Sequence, residues 1–423
     1  MKSHQPAPWS RLDNAAKIFP PTSDREDTKV FRFACELSEE VDPALLQQAL
    51  DRTVEDFPLY LSVIKKGMFW YYFERSNLRP TVHLECKSPC SPLYDGNRKG
   101  LLFEVTCYKR RISLEVYHAL SDGTGALQFL RTLVARYLVL RHPERFPEGM
   151  PPLDYDASGT QKMDDSFQKY YGGAKRYRKD PAPHAFRLRG EKTEDYRLKV
   201  VSGVMSASSV LKVAHSCGAT LTVLLAAVLI EAIHGEMPLR EEGRPVVLTV
   251  PVNLRSYFPS ASARNFFGIF NVGYNFKKQP DTFEDILSHV GGYFKRELTA
   301  ERLALRMNEL AALEHNLIAR AVPLAFKDVS LRIANRLSER GITAALSNVG
   351  RISMPAGMEE YIRLFDVFTS TNRLQLCLCS FGDRLVLSFS STFAGVDVQR
   401  RFFRRLAQLG IDIEITTNQL DGQ

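Results

Sequence analysis

Long apolar runs are scarce in this chain of 423 residues. The most apolar segment, residues 221–233, is interrupted by Thr222 and Glu231, and it is shorter than the roughly 20 residues that a membrane-spanning helix needs. It is predicted to be a buried core helix, and no transmembrane segment is expected. The N-terminal MKSHQPAPWSRLD also lacks the apolar stretch of a signal peptide, so secretion is not indicated.

Cysteine is sparse as well. The seven cysteines are an odd number and lie scattered along the chain, which favours reduced thiols over a disulfide framework and predicts a cytoplasmic protein. Only His83, Cys86 and Cys90 have a spacing that resembles a metal site. No fourth ligand follows them at a zinc-like interval, so no bound metal is expected.

Several common catalytic motifs are missing. The absence of GxSxG argues against a serine hydrolase with a nucleophile elbow. The absence of GxGxxG and GxxxxGK removes the usual dinucleotide and P-loop fingerprints, and HExxH is absent too. The chemistry of this chain must therefore come from another arrangement.

Positively charged residues outnumber negatively charged ones. The net charge of +8 favours anionic partners, such as a nucleotide-bearing thioester or a nucleic acid. The basic residues concentrate in 175–192, a connecting stretch, and in 400–405, where Phe402 and Phe403 indicate an amphipathic helix with a solvated face. Neither segment carries a nucleic-acid motif, so no nucleic-acid partner is expected.

The length of the chain exceeds what one hydrophobic core usually spans. Strand and helix patterns alternate in both halves, and residues 146–184 are rich in Pro, Gly, Asp, Lys and Tyr without lasting periodicity. We therefore predict an α/β protein of two related subdomains, each a mixed sheet with packed helices. The predicted subdomains are 1–150 and 186–423, joined by a linker at 151–185.

The predicted elements follow from periodicity and capping signals. Strands are predicted at 29–37, 68–73, 82–86, 101–108, 112–117, 196–205, 246–252, 266–276, 343–347, 362–369, 374–381, 384–390 and 411–415. Helices are predicted at 43–57, with Asp42 as N-cap, and at 123–141, 207–216, 220–234 and 396–409, with further helical segments within 282–340.

The segment YHALSDGTG (117–125) carries the strongest chemical signal. His118 continues the strand face of Leu114 and Val116, because side chains alternate along a strand, so its imidazole is predicted to point toward the buried face. An unperturbed imidazole is mostly neutral near pH 7 and suits a general base. Two glycines in this turn let the backbone approach a substrate closely. Asp122 has two interpretations, as a helix N-cap or as a buried carboxylate paired with an arginine.

The predicted base has no partner nucleophile in the sequence. This favours direct transfer, in which the base deprotonates an acceptor that attacks an activated acyl group.

The run HALSDGTGALQFLRTL from His118 resembles the HxxxDG signature of the chloramphenicol-acetyltransferase-like superfamily, closest to its bacterial alcohol-acetyltransferase-like branch and to condensation-domain proteins. Tyr117 replaces the first histidine of the HHxxxDG form. VPVNLR (250–255), NFFGIF (265–270) and SNVG (347–350) resemble later segments of the superfamily in the same order. The plant-type DFGWG motif is absent, which argues against the plant BAHD branch.

The resemblance implies two subdomains arranged in a V around a central tunnel. It implies His118 as the general base, an ion pair between Asp122 and Arg255, and oxyanion or substrate positioning by Gly123, Ser347 or Asn348. The implied reaction moves an acyl group, such as acetyl, from acyl-CoA to a small alcohol or amine acceptor. Acyl-CoA is then a co-substrate, and no permanently bound cofactor is expected.

Two alternatives stay open at this point. One is a freestanding condensation-type enzyme that takes its acyl group from the thioester of an acyl carrier protein. The other is a non-catalytic binding protein of the same fold, although the joint presence of His118, Asp122 and Arg255 argues against it.

Overall fold

The computed structural model describes residues 9–154, 166–172, 184–315 and 322–418, with the backbone alone for 309–315. Most of the predicted linker, residues 155–165 and 173–183, lies outside the described residues. The division at 150 and 185 therefore stays a prediction.

The first half contains seven strands and three helices in its described part. They are β1 (Trp9–Arg11), α1 (Phe19–Thr22), β2 (Val30–Leu37), α2 (Pro43–Asp56), β3 (Ser62–Lys66), β4 (Tyr71–Arg75), β5 (Val82–Leu84), β6 (Phe103–Tyr108), β7 (Arg111–Tyr117) and α3 (Gly123–Arg141). The Asp42 side chain accepts from the N–H groups of Ala44 and Leu45, so the predicted N-cap of α2 is confirmed.

The second half is longer. Its elements are α4 (Ser166–Lys169), β8 (Lys199–Ser206), α5 (Ala207–Ser216), α6 (Leu221–His234), β9 (Val246–Asn253), β10 (Phe267–Tyr274), α7 (Phe283–Glu297), α8 (Ala300–His315), α9 (Leu324–Glu339), β11 (Ala344–Ile352), β12 (Ile362–Thr369), β13 (Leu374–Phe381), β14 (Arg384–Ser391), α10 (Asp397–Gln408) and β15 (Glu414–Thr417).

The predicted apolar segment forms α6, a helix whose side chains are buried on nearly all sides in the core of the second half. This confirms the prediction of a core helix. Across the described ranges no one helix has the length and apolar content of a membrane span, and only α5 and α6 taken together across their 81° bend meet those criteria.

The strands form three mixed or antiparallel sheets. The first half holds the order β12-β2-β7-β6-β5 and a small sheet β1-β4-β3, and the second half holds β10-β9-β11-β13-β14-β8-β15. Helices α2 and α3 pack on the first large sheet, and α6 packs with α7 and α10 on the second. The predicted α/β architecture of two helix-packed mixed sheets is confirmed.

Strand β12 links the two halves. It lies within predicted subdomain 186–423, yet it pairs antiparallel with β2 of the first half, from Ile362 opposite Leu37 to Thr369 opposite Phe31. Its backbone carbonyls also accept hydrogen bonds from the second sheet, at Thr369 from Ser390 Oγ (2.7 Å) and at Phe365 from Cys379 Sγ (3.3 Å). The second half therefore completes the sheet of the first.

The predicted strand at 68–73 begins too early. Gly67 and the following residues form a turn between β3 and β4, and the strand starts at Tyr71. A Cβ on Gly67 would lie 2.8 Å from the Trp70 carbonyl oxygen, so this tight turn requires glycine. Strands β1 and β3 were not predicted, because both are short and lack clear alternation.

Candidate active site

His118 lies where strand β7 ends. Its backbone N–H donates to the Lys29 carbonyl (2.8 Å), which keeps it beside β2, and the chain then turns toward α3. Val116 is paired with Phe31, and the ring of Phe31 lies 4.9 Å from the imidazole, edge-on. The histidine thus continues the buried strand face, as the alternation of side chains predicts.

Aromatic rings enclose the imidazole. Phe19 of α1 stacks on it at 4.7 Å with an interplanar angle of 14°, and Phe267 of β10 lies at 5.6 Å. These rings restrict the imidazole to one orientation and exclude water from its faces. A ring fixed in this way presents one edge to a ligand.

Asn265 orients the histidine. Its side-chain oxygen lies 3.3 Å from Nδ1 of His118, and its amide nitrogen donates to Asp13 Oδ2 (3.3 Å) and to the Ala119 carbonyl (3.4 Å). Asp13 Oδ2 and the Ala119 carbonyl are both acceptors, so the NH₂ group of Asn265 faces them and its oxygen faces Nδ1 of His118. Because an amide oxygen only accepts, Nδ1 must carry the proton. The Nε2 lone pair is then available to accept a proton.

Burial lowers the pKa of His118 below its ordinary value of 6.5. The charge of Asp122 and the hydrogen bond that Nδ1 donates to Asn265 act in the opposite direction but are smaller. The imidazole is therefore neutral at pH 7, which is the protonation state that a general base requires.

Asp122 performs both of its predicted roles at once. One carboxylate oxygen accepts from the Gly125 N–H (3.0 Å) and caps α3, while the other accepts from Arg255 Nη1 (2.7 Å) and from the Phe266 N–H (2.8 Å). Both partners in the ion pair are buried. The contacts with Arg255 and Phe266 tie the start of α3 to the segment between β9 and β10.

Arg255 also braces its own loop. Its Nη2 donates to the carbonyls of Ser262 (2.8 Å) and Arg264 (2.6 Å). The guanidinium thereby fixes the segment that carries Asn265. The ion pair positions the base through Asn265, and the charge of Asp122 also raises the pKa of the imidazole without a hydrogen bond to it.

Gly125 contradicts the expectation that both turn glycines face a ligand. A Cβ at position 125 would lie 2.0 Å from the Ala263 carbonyl oxygen and 2.3 Å from Ser121 Oγ. The close approach is therefore between α3 and the 253–266 segment. At Gly123, which lines the cavity, a Cβ would meet only Phe33 at ordinary contact distance (3.9 Å).

A cavity of about 320 Å³ opens beside His118. Both halves line it: Phe31, His118 and Gly123 come from the first, and Pro251, Ser347 and Phe368 from the second. Its wall combines aromatic and apolar side chains with about as many polar or charged residues, among them Asp27, Lys29 and Thr249. A cavity with both kinds of group can bind a small molecule through apolar contacts and orient it through polar ones.

Ser347 and Asn348 both line this cavity, but they differ in whether their polar atoms are already hydrogen-bonded. Asn348 donates its amide to Thr222 Oγ1 (2.8 Å) and accepts from the Gly350 N–H (2.8 Å), so its polar atoms are engaged in holding the strand. The Ser347 hydroxyl and the Gly123 N–H are better placed as donors. Gly123 is the first residue of α3, and the first N–H groups of a helix have no intrahelical acceptor.

Three residues of the site were missed by sequence reasoning. Asp13 is buried and accepts from the Ala16 N–H (2.8 Å) as well as from Asn265, and only its contacts identify it. Asn265 was noted solely as part of a motif. Cys377 lines the cavity, and burial raises the pKa of its thiol to about 12, so this thiol is protonated and is no nucleophile at neutral pH.

No protein-family model and no curated protein matches this chain. Solved structures do. Polyketide synthase associated protein 5 from Mycobacterium tuberculosis is 14% identical with a TM-score of 0.64, over 95% of this chain and 97% of that one. TRI101 of F. sporotrichioides, solved with coenzyme A and T-2, is 11% identical with a TM-score of 0.65, over 96% and 99%.

The first condensation domain of the CDA synthetase is also similar, at 17% identity and a TM-score of 0.59, over 93% of both chains. At these identities the likeness is one of fold. The predicted fold, two chloramphenicol-acetyltransferase-like subdomains, is confirmed by it.

Proposed function

We propose that this protein is an acyltransferase that moves an acyl group, in the simplest case acetyl, from an acyl-CoA thioester to an alcohol or amine acceptor. One observation carries the proposal: the Asn265 contact leaves Nε2 of a neutral, ring-enclosed His118 as a proton acceptor beside a cavity between the two halves. The fold is shared with TRI101, which was solved with coenzyme A.

In the proposed reaction Nε2 of His118 takes the proton of the acceptor hydroxyl or amine as that group attacks the thioester carbonyl carbon. The carbonyl oxygen gains negative charge, which the Gly123 N–H and the Ser347 hydroxyl stabilise. The intermediate then collapses, the C–S bond breaks, and the imidazolium returns its proton to the departing thiolate. A positioned base of this kind contributes about 10²–10⁴-fold to the rate.

Direct transfer is favoured over an acyl-enzyme intermediate. Cys377 is the thiol that lines the cavity, and its raised pKa of about 12 keeps it protonated at pH 7. The proposed nucleophile is therefore the acceptor itself.

A second, basic cavity supports acyl-CoA as the donor. Arg187, Lys192 and Arg373 line it together with Glu26, whose neighbour Asp27 lines the cavity of His118. Burial lowers the pKa of Lys192, the charge of Glu26 opposes this, and the nearby Arg373 and Arg187 act in the same direction as burial. Cations that repel one another gain from an anionic ligand, and the phosphates of coenzyme A are such a ligand.

The test of catalysis is release of free thiol from acetyl-CoA across a panel of alcohols and amines. His118→Ala is expected to lower kcat by about 10²–10⁴-fold. Cys377→Ser, a substitution of similar size in the same cavity, is the control and is expected to retain turnover. Full activity of the His118→Ala protein would overturn the assignment of the base.

The donor is tested separately. Arg187→Gln is expected to raise the KM for acetyl-CoA and to leave the KM for acetyl-pantetheine, which lacks the nucleotide, unchanged. Turnover with a loaded carrier protein, but with no CoA thioester, would instead favour the condensation-type alternative. No turnover with either donor by a folded wild-type protein would favour a binding protein.

A further inference from the structure

Helix α9 presents apolar side chains to solvent where a surface helix ordinarily carries polar ones. Phe326, Val329, Ile333 and Leu337 are exposed by 67%, 52%, 55% and 55%. Their spacing of three or four residues places them in one stripe along the helix. Monomeric proteins rarely leave a contiguous apolar stripe of this kind uncovered.

The opposite face of α9 is unusually polar. Asp328 is buried and accepts from the Tyr71 hydroxyl (2.8 Å), and the Glu339 carboxylate lies 3.7 Å from Arg373 Nη2. Polar contacts to β4 and to Arg373 therefore attach α9 to the protein through this face. The inverted pattern fixes the apolar stripe on the outside.

The neighbouring turn extends this surface. Met68 and Phe69, between β3 and β4, are exposed by 77% and 39%. The Leu324 N–H donates to the Met68 carbonyl (2.9 Å), and Lys327 Nζ donates to the Phe69 carbonyl (3.1 Å), so turn and helix form one unit. We call these six residues the outer face: Met68, Phe69, Phe326, Val329, Ile333 and Leu337.

Basic residues border the outer face. Lys327 lies on one side of the stripe, and Arg336 and Arg340 lie on the other. The two acidic residues of α9, Asp328 and Glu339, are engaged with Tyr71 and Arg373 on the other side of the helix. A second copy of the chain packed face to face would bring these cations together, which argues against a dimer contact. The surface instead fits an anionic partner.

We propose that the outer face docks on the surface of an anionic lipid bilayer, with α9 lying in the plane of the interface. An apolar stripe of Phe, Ile and Leu flanked by Lys and Arg is the composition of helices that bind this way. The four stripe residues of α9 are each more than half exposed, whereas Met68 and Phe69 also line a cavity beside Trp9 and Trp70.

The docked surface would lie close to the candidate active site. Arg332 Nε on α9 donates to the Pro21 carbonyl of α1 (2.7 Å), and Phe19 of α1 stacks on His118. In this arrangement α9 and the short helix α1 separate the cavity from the bilayer. This inference rests on the proposed function, and it points to an acceptor or acyl group with a lipophilic chain.

Vesicle co-sedimentation of the full chain tests the docking, since it requires no turnover. Vesicles of phosphatidylcholine with phosphatidylglycerol are expected to bind the protein, and vesicles of phosphatidylcholine alone to bind it far less. Phe326→Glu with Ile333→Glu is expected to weaken binding by more than about tenfold, because each side chain contributes through its buried apolar area. Arg336→Gln and Arg340→Gln are each expected to weaken it roughly fivefold.

Leu239→Glu is the matched control, since Leu239 is 83% exposed and lies in another part of the surface. It is expected to bind vesicles like the wild type. Docking would be overturned by a wild-type protein that ignores anionic vesicles, or by a folded Phe326→Glu, Ile333→Glu protein that binds them fully. A wild-type dimer that these substitutions dissociate would overturn it in favour of a second copy. Loss of vesicle binding with normal thiol release would leave the proposed catalysis intact.

Discussion

At His118, burial and hydrogen bonding act on the same ring in opposite directions. Burial dominates and lowers the pKa below 6.5, while the contact with Asn265 fixes which nitrogen is protonated. The protonation state of His118 is therefore set by its burial and by Asn265, and the sequence motif around His118 shows neither of them. Asn265 is a positioning residue, because it acts through the imidazole.

The pH dependence follows from that lowered pKa. We expect kcat/KM to rise with pH through a value below 6.5 and then to level off, because the neutral ring is the active form. The free energy of unfolding is also expected to rise with pH, because the unfolded chain binds the proton of His118 more readily than the folded protein does. The stability that the neutral ring contributes is therefore present above pH 6.5 and is lost as the pH falls through the pKa of the folded protein.

Asn265→Asp tests whether the residue that faces Nδ1 influences the pKa of His118. A carboxylate facing Nδ1 stabilises the imidazolium, so the acidic limb of the kcat/KM profile is expected to move to higher pH. A folded variant with an unmoved profile would show that Asn265 does not influence the base.

The ion pair predicts a change in stability. Arg255→Ala leaves the buried Asp122 carboxylate without its cation and is expected to cost about 3–5 kcal/mol in the free energy of unfolding, and to lower turnover by releasing the segment around Asn265. Arg363→Ala breaks the exposed pair with Glu36 and is the control, with an expected cost below about 1 kcal/mol. Equal melting temperatures for the two variants would contradict the structural role.

At the scale of elements, the start of α3 depends on how closely it meets the 253–266 segment. Gly125→Ala is expected to destabilise the protein by about 1–3 kcal/mol or more, because its methyl group would overlap the Ala263 carbonyl. Gly123→Ala has room beside Phe33 and is expected to melt like the wild type. Denaturant unfolding of both variants provides the comparison, and similar curves would contradict the close approach.

Most elements could be predicted from sequence because their periodicity is strong. Helices α3 and α5 have the predicted bounds, and the hairpin of β6 and β7 is confirmed with small shifts. One of the exceptions, the early start of the strand predicted from Met68, arises from a turn that depends on a backbone contact at Gly67. Alternation alone could not show it, since Met, Phe and Trp there look like strand residues.

The site divides in the same way. His118, Asp122 and Arg255 could be chosen from a motif, and the structure places Arg255 against Asp122. Asp13 and Asn265 could not, since their importance comes from contacts between residues more than a hundred positions apart. Pairings of that kind follow from the tertiary fold and leave no local pattern.

For the molecule as a whole, the pairing of β12 with the sheet of the first half predicts that neither half folds well without the other. Residues 1–172 expressed alone lack β12 and are expected to aggregate, because β2 then has an open edge. Co-expression of 1–172 with 184–423 is expected to restore a soluble complex that co-purifies through a tag on either piece. A monodisperse, folded 1–172 fragment would contradict this dependence.

The same strand has a consequence for synthesis on the ribosome. Residues 30–37 emerge early, whereas their partner at 362–369 is made only near the end of translation. At a rate of about 10 residues per second the interval is on the order of half a minute. Throughout it, one edge of the nascent first sheet lacks its partner and is open to pairing with other chains until translation is nearly complete.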